Sequence, residues 1–138
     1  MLHRKTEDFI GSYRQIPLKG TAARFPTPNF IFATARSKHS KRPIETVTPL
    51  AMALNLPIND RFVDKDKDIK KMAAAILNEC AFAGKIVLIC WHHGTIPDDA
   101  KALGLSKPPK WEGKVFGRVW QISYPKGKPR FRIFRRCR

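Results

Sequence analysis

The residues best suited to chemistry in this chain sit together in "CWHHGTIPDDAKALG", from Cys90 to Gly104. His92 and His93 follow directly on an apolar run. Imidazole takes and gives protons near neutral pH, and it donates hydrogen bonds to oxyanions. An adjacent pair at the mouth of a buried strand therefore has two readings. One is a tautomer-locked structural pair closed by the turn that follows. The other is a reactive imidazole aimed into a pocket. A second charged group lies in "ATARSKHSKR", where Arg36, Lys38, His39 and Arg42 make a basic loop. Arginine at a helix start can grip a phosphate bidentately, helped by the free N–H groups of the first turn. A carboxylic acid able to protonate a leaving group would come from Asp64 or Asp66 in "INDRFVDKDKD", where both residues also suit a helix-capping role. Asp98 reads as a cap of the helix after the histidines.

These residues need elements to hold them. After Pro26 and Pro28, Phe30 to Thr34 reads as a short apolar strand. In "RPIETVTPLAMALNLP", Ile44, Val47, Ala51 and Leu54 recur at helical spacing, with Pro43 in the first turn. Pro49 is expected to bend that helix or delay its start, and Pro57 to end it. A second helix carries Ile69, Met72, Ala73 and Ile76 as its apolar stripe, with Asp66 and Asp68 complementing its N-terminus. Ala83-Gly84 then turns the chain into "KIVLIC", a continuous apolar run of the kind buried on both faces in parallel sheets. Within it Cys90 reads as a small buried hydrophobe. Ile96, Ala100 and Leu103 mark a short helix ending at Gly104. "KVFGRVWQISYP" is a third strand, with Trp120, Ile122 and Tyr124 on one side. The order strand, helix, helix, strand, helix, strand predicts an α/β fold with a mainly parallel sheet flanked by helices. In such sheets ligands bind beyond the carboxyl ends of the strands. Both the Arg42 loop and the His92 turn have that address.

Composition bounds the function. A chain of 138 residues with 43% hydrophobic content suits one domain with a modest core. No apolar run approaches the roughly 18 residues of a membrane span. The start "MLHRKTEDF" lacks the apolar stretch of an export signal, and three cysteines without metal-ligand spacing favour a reducing cytoplasm. Lysine and arginine total 27 against 11 acidic residues, a formal charge of +16. That excess attracts phosphate-rich partners, whether phosphorylated small molecules or nucleic acid. It concentrates at the ends, above all in "KGKPRFRIFRRCR".

"FIFATARSKHSKRPIETVTPLAMALNLP" and "GKIVLICWHHGTIPDDAKALG" together resemble the histidine phosphatase superfamily, the phosphoglycerate-mutase-like enzymes. The resemblance makes Arg42, followed by Pro43-Ile44-Glu45-Thr46, the phosphate-binding arginine. It makes His92 the phosphate-contacting histidine, with His93 taking that role if the turn is one residue shorter. Asp64 stands as the acid candidate, and Arg36 and Thr95 as further substrate-binding candidates. The family hydrolyses phosphomonoesters through a phosphohistidine and implies no metal or organic cofactor. Its nucleophile lies in an Arg-His-Gly triplet on an N-terminal strand, and these 138 residues contain no such triplet. The chain thus reads as a phosphoglycerate-mutase-like fold truncated at the N-terminus. Residues 1–24 form a divergent basic segment, 25–124 the α/β domain and 125–138 an Arg-rich tail. Three functions follow as expectations: a phosphatase-like enzyme using Arg42 and His92, a non-catalytic relative retaining an anion site, and a small basic nucleic-acid-binding protein.

Overall fold

The computed structural model describes residues 2–3, 27–38, 40–112 and 118–135. Six strands form one sheet in the order β3-β2-β4-β1-β5-β6. They are β1 (Leu2–His3), β2 (Phe30–Ala33), β3 (Ile58–Asn59), β4 (Ile86–Cys90), β5 (Arg118–Ser123) and β6 (Arg130–Arg135). Three α-helices connect them: α1 (Arg42–Leu54), α2 (Asp66–Asn78) and α3 (Ile96–Ala102). The α/β class is as expected from the pattern. Its parallel part is the block β3-β2-β4, where Ile31 pairs with Ile58 and Leu88. Beyond β4 the sheet is mixed. β1 runs antiparallel to β4 and parallel to β5, and β6 runs antiparallel to β5. The strand containing Trp120 and Ile122 therefore opposes β4 in direction.

The sheet divides the core into two layers. On one face α1 packs Ile44, Val47, Leu50 and Ala51 against Ile31, Ala33 and Leu88. On the other, α2 and α3 pack Ile69, Met72, Ile76, Ala100 and Leu103 against Phe32, Val87, Ile89 and Trp120. The alternation of β2 and β4 between these clusters is the period-2 consequence of strand geometry. Both strands are thus covered on both sides, which explains why "KIVLIC" carries no polar alternation.

Local chemistry explains the helices. Pro43 opens α1, where its missing N–H costs nothing. The helix then continues through Pro49 to Leu54, so Pro49 neither ends it nor delays its start. Thr46 Oγ1 donates to the Arg42 carbonyl at 2.7 Å and Thr48 Oγ1 to that of Ile44 at 2.6 Å, the back-bonding that hydroxyls make within a helix. Asn55 closes the helix in the left-handed conformation at φ 54°, ahead of Pro57. Asp66 and Asp68 stand in the first turn of α2, and Asp68 Oδ2 accepts the Val63 N–H at 2.8 Å. Gly104, at φ 109°, ends α3 where a side chain would be strained.

Candidate functional site

Three crossover loops lie at the carboxyl edge of the parallel block. Residues 34–41 follow β2, residues 60–65 follow β3 and residues 91–95 follow β4. Backbone hydrogen bonds lace these loops together. The Thr34 N–H donates to the Cys90 carbonyl at 3.2 Å, and the Ala35 N–H to that of Phe62 at 2.8 Å.

Asp64 is the centre of the polar contacts. Its Oδ1 accepts the Trp91 indole N–H at 2.9 Å and the Thr95 hydroxyl at 2.5 Å. It therefore grips the 91–95 turn at both ends. Inside that turn the His92 carbonyl accepts the N–H groups of Thr95 at 3.0 Å and Ile96 at 3.1 Å, which starts α3. The His92 side chain is half-buried and that of His93 is exposed. Of the two, His92 stands nearer to protein groups and His93 nearer to water. Trp91 is buried in the α2–α3 layer, which gives its indole a structural reason to be there.

The arginines occupy the same edge by a different route. Arg42 is the first residue of α1, and its N–H donates to Ser40 Oγ at 3.3 Å. Ser37 and Ser40 close the basic loop on itself, with the Ser37 N–H donating to the Ser40 carbonyl at 3.1 Å. Arg36 and Arg42 are both exposed, while His39 lies outside the described residues. Because α1 covers the sheet face opposite α2 and α3, Arg42 approaches the edge from one side and Asp64, Trp91 and Thr95 from the other. Asp64, Thr95 and the His92 turn are brought together by hydrogen bonds. Among the described residues no hydrogen bond joins Arg36 or Arg42 to them. Asp66 faces solvent and pairs with Lys70 at 2.9 Å.

Asp99 was not visible as a site residue from motif reading, yet it is the most unusual carboxyl in the fold. It is 5% exposed, on α3, and neither of its oxygens has a hydrogen-bond partner among the described residues. Burial pushes its pKa up to about 8, and the negative charges of Asp64 and Asp98 add to the rise. A sequence signal existed: Asp99 falls inside the stripe Ile96, Ala100, Leu103, on the face that α3 buries. Thr34, 1% exposed at the end of β2, has a similarly unpartnered Oγ1. Cys90 is half-buried rather than fully buried, yet burial still pushes its thiol up to about 11, far from a reactive thiolate.

Among the described residues no group of three or more His, Cys, Asp or Glu side chains is arranged to hold a metal ion. No helix among them is long and apolar enough to cross a membrane. No family model, curated protein or solved structure matches the chain.

Proposed function

We propose that this domain is a histidine-phosphatase-like phosphate-binding fold whose hydrolytic capacity is impaired in these 138 residues. The observation that carries the reading is the Asp64 clamp on the His92 turn at the carboxyl edge of β4, with Arg42 opening the helix that follows the adjacent β2. A guanidinium fork and an imidazole donor are groups that suit a tetrahedral oxyanion, and Arg42 and His92 follow the carboxyl ends of the adjacent parallel strands β2 and β4. The order of the two stretches, with the arginine first and the histidine second, agrees with the phosphoglycerate-mutase-like resemblance. The absent Arg-His-Gly triplet argues for binding without efficient phosphoryl transfer, since no activated nucleophile is supplied.

Calorimetric titration of the chain with orthovanadate or phosphate tests this reading. Arg42→Ala and His92→Ala should each weaken binding, and the double variant should lose less than the sum of the two. Binding that survives both substitutions, or no binding by the parent chain, rejects the phosphate site.

A further inference from the structure

The C-terminal arginines do not form a detached tail. Residues 130–135 are β6, the edge strand of the sheet, in register with β5 over six residue pairs. That pairing sorts their side chains. Phe131 turns inward and meets Trp120 edge-on at 5.2 Å between ring centroids. Arg130 stands opposite Ser123 and Arg132 opposite Gln121, on the other face, and both arginines are exposed. Two residues of extended strand separate them by about 7 Å. The turn before β6 adds Lys126 and Lys128, also exposed. No acidic residue occurs after Glu112 in the sequence. Among the described residues none of these four cations has an acidic partner within ion-pair distance.

We infer that the β5–β6 hairpin is a sequence-independent nucleic-acid-binding surface, with Lys126, Lys128, Arg130 and Arg132 contacting the phosphodiester backbone. The chemistry favours a linear polyanion. A small phosphate needs donors converging on one point, whereas these cations are strung along a strand and the turn before it. Guanidinium forks bind phosphate oxygens bidentately, and each neutralised phosphate releases condensed counterions. A membrane surface would call for apolar side chains beside the cations. Phe131 and the exposed Ile133 lie on the opposite face from Arg130 and Arg132, and Phe134, which shares their face, is half-buried. The inference is independent of the phosphate site at the carboxyl edge of β4.

Fluorescence anisotropy of the full chain with a labelled, mixed-sequence DNA duplex across a salt series tests it. The parent chain should bind, with affinity falling steeply as salt rises. Arg130→Gln/Arg132→Gln should weaken binding and flatten the log–log salt slope by about 2, one per lost phosphate contact. Removing two charges from α2 instead, with Lys67→Gln/Lys71→Gln, should leave the slope nearly unchanged. Failure of the parent chain to bind overturns the inference. So does an equal loss in the α2 variant, which would mean diffuse net charge. Binding to phosphatidylserine vesicles but not to duplex, lost on the same arginine substitutions, overturns it in favour of a lipid surface.

Discussion

Asp64 and Thr95, separated by thirty-one positions, meet at 2.5 Å, and the same carboxylate oxygen holds the Trp91 indole. The loop after β3 therefore fixes the shape of the turn after β4, and with it where His92 stands. This gives Asp64 a positioning role that does not require it to give up a proton.

Removing the shared acceptor leaves two donors without it, so Asp64→Ala should destabilise the fold by roughly 1–3 kcal/mol. Thr95→Val removes a single donor and should cost less. Because the two groups share one bond, the double variant should fall short of additivity. Asp64→Asn keeps a carbonyl acceptor and should recover part of the loss. Urea unfolding measures the energies, and the Trp91 indole proton resonance reports the contact directly. An unchanged indole resonance in Asp64→Ala would show that the clamp does not persist in solution.

Asp99 makes a prediction about pH. Its carboxyl rises from an ordinary 3.8 to about 8 on folding. Between those values the folded chain holds a proton that the unfolded chain has released. Its favourable contribution is therefore complete below about pH 4 and is lost progressively as pH rises to about 8. Asp99→Asn, which cannot ionise, should match the parent near pH 4 and exceed it at pH 8 by roughly 5 kcal/mol. Unfolding midpoints across that range decide the matter. Parallel curves for the two proteins would mean that Asp99 is ionised and compensated.

The two described thiols should differ sharply in reactivity. Cys80 is exposed, whereas burial holds the Cys90 thiol near 11. At pH 8 only about one Cys90 in a thousand is thiolate, which is the reactive form. A disulfide exchange reagent should modify Cys80 quickly in the native chain and reach Cys90 only on unfolding. Rapid modification of Cys90 in a Cys80→Ser variant would reveal opening of the sheet at the end of β4.

Much of the parallel block was legible in the residues, because long apolar stripes state their own period. Ile69, Met72, Ala73 and Ile76 are all buried, as are Ile44, Val47 and Ala51. The rest was hidden for physical reasons. β3 is two residues in a polar loop, held by its neighbour rather than by propensity. The direction of β5 depends on which strand lies beside it, and no local pattern encodes that. The segment from Arg130 to Arg135 reads as a tail because of its charge density, yet Arg130, Phe131, Arg132 and Ile133 alternate with the period of the strand they form. In the site, the His92 turn was visible as a motif, while its link to Asp64 is a tertiary contact that spacing alone could not supply.

The placement of β1 bears on catalysis. A phosphohistidine mechanism needs a nucleophilic imidazole within reach of the phosphate that His92 and Arg42 would hold. The position between β4 and β5 is filled by β1, but β1 runs antiparallel to β4, and His3 pairs with Ile86 at its amino end. β4 runs from Ile86 to Cys90, about 13 Å of extended strand, and His92 lies two residues beyond its end. The backbone of His3 thus lies at the amino end of β4, the end opposite the His92 turn. With no Arg-His-Gly triplet in the sequence, positioning and charge alone should leave only slight activity. Assayed on a generic phosphate monoester, the chain should show no turnover above a protein-free control, and His92→Ala should not change that. A rate in the ordinary enzyme range that vanishes in His92→Ala would mean that His92 itself, or a group it orients, forms the covalent intermediate. Trapping of a phosphorylated side chain and its identification by mass spectrometry would then name the residue.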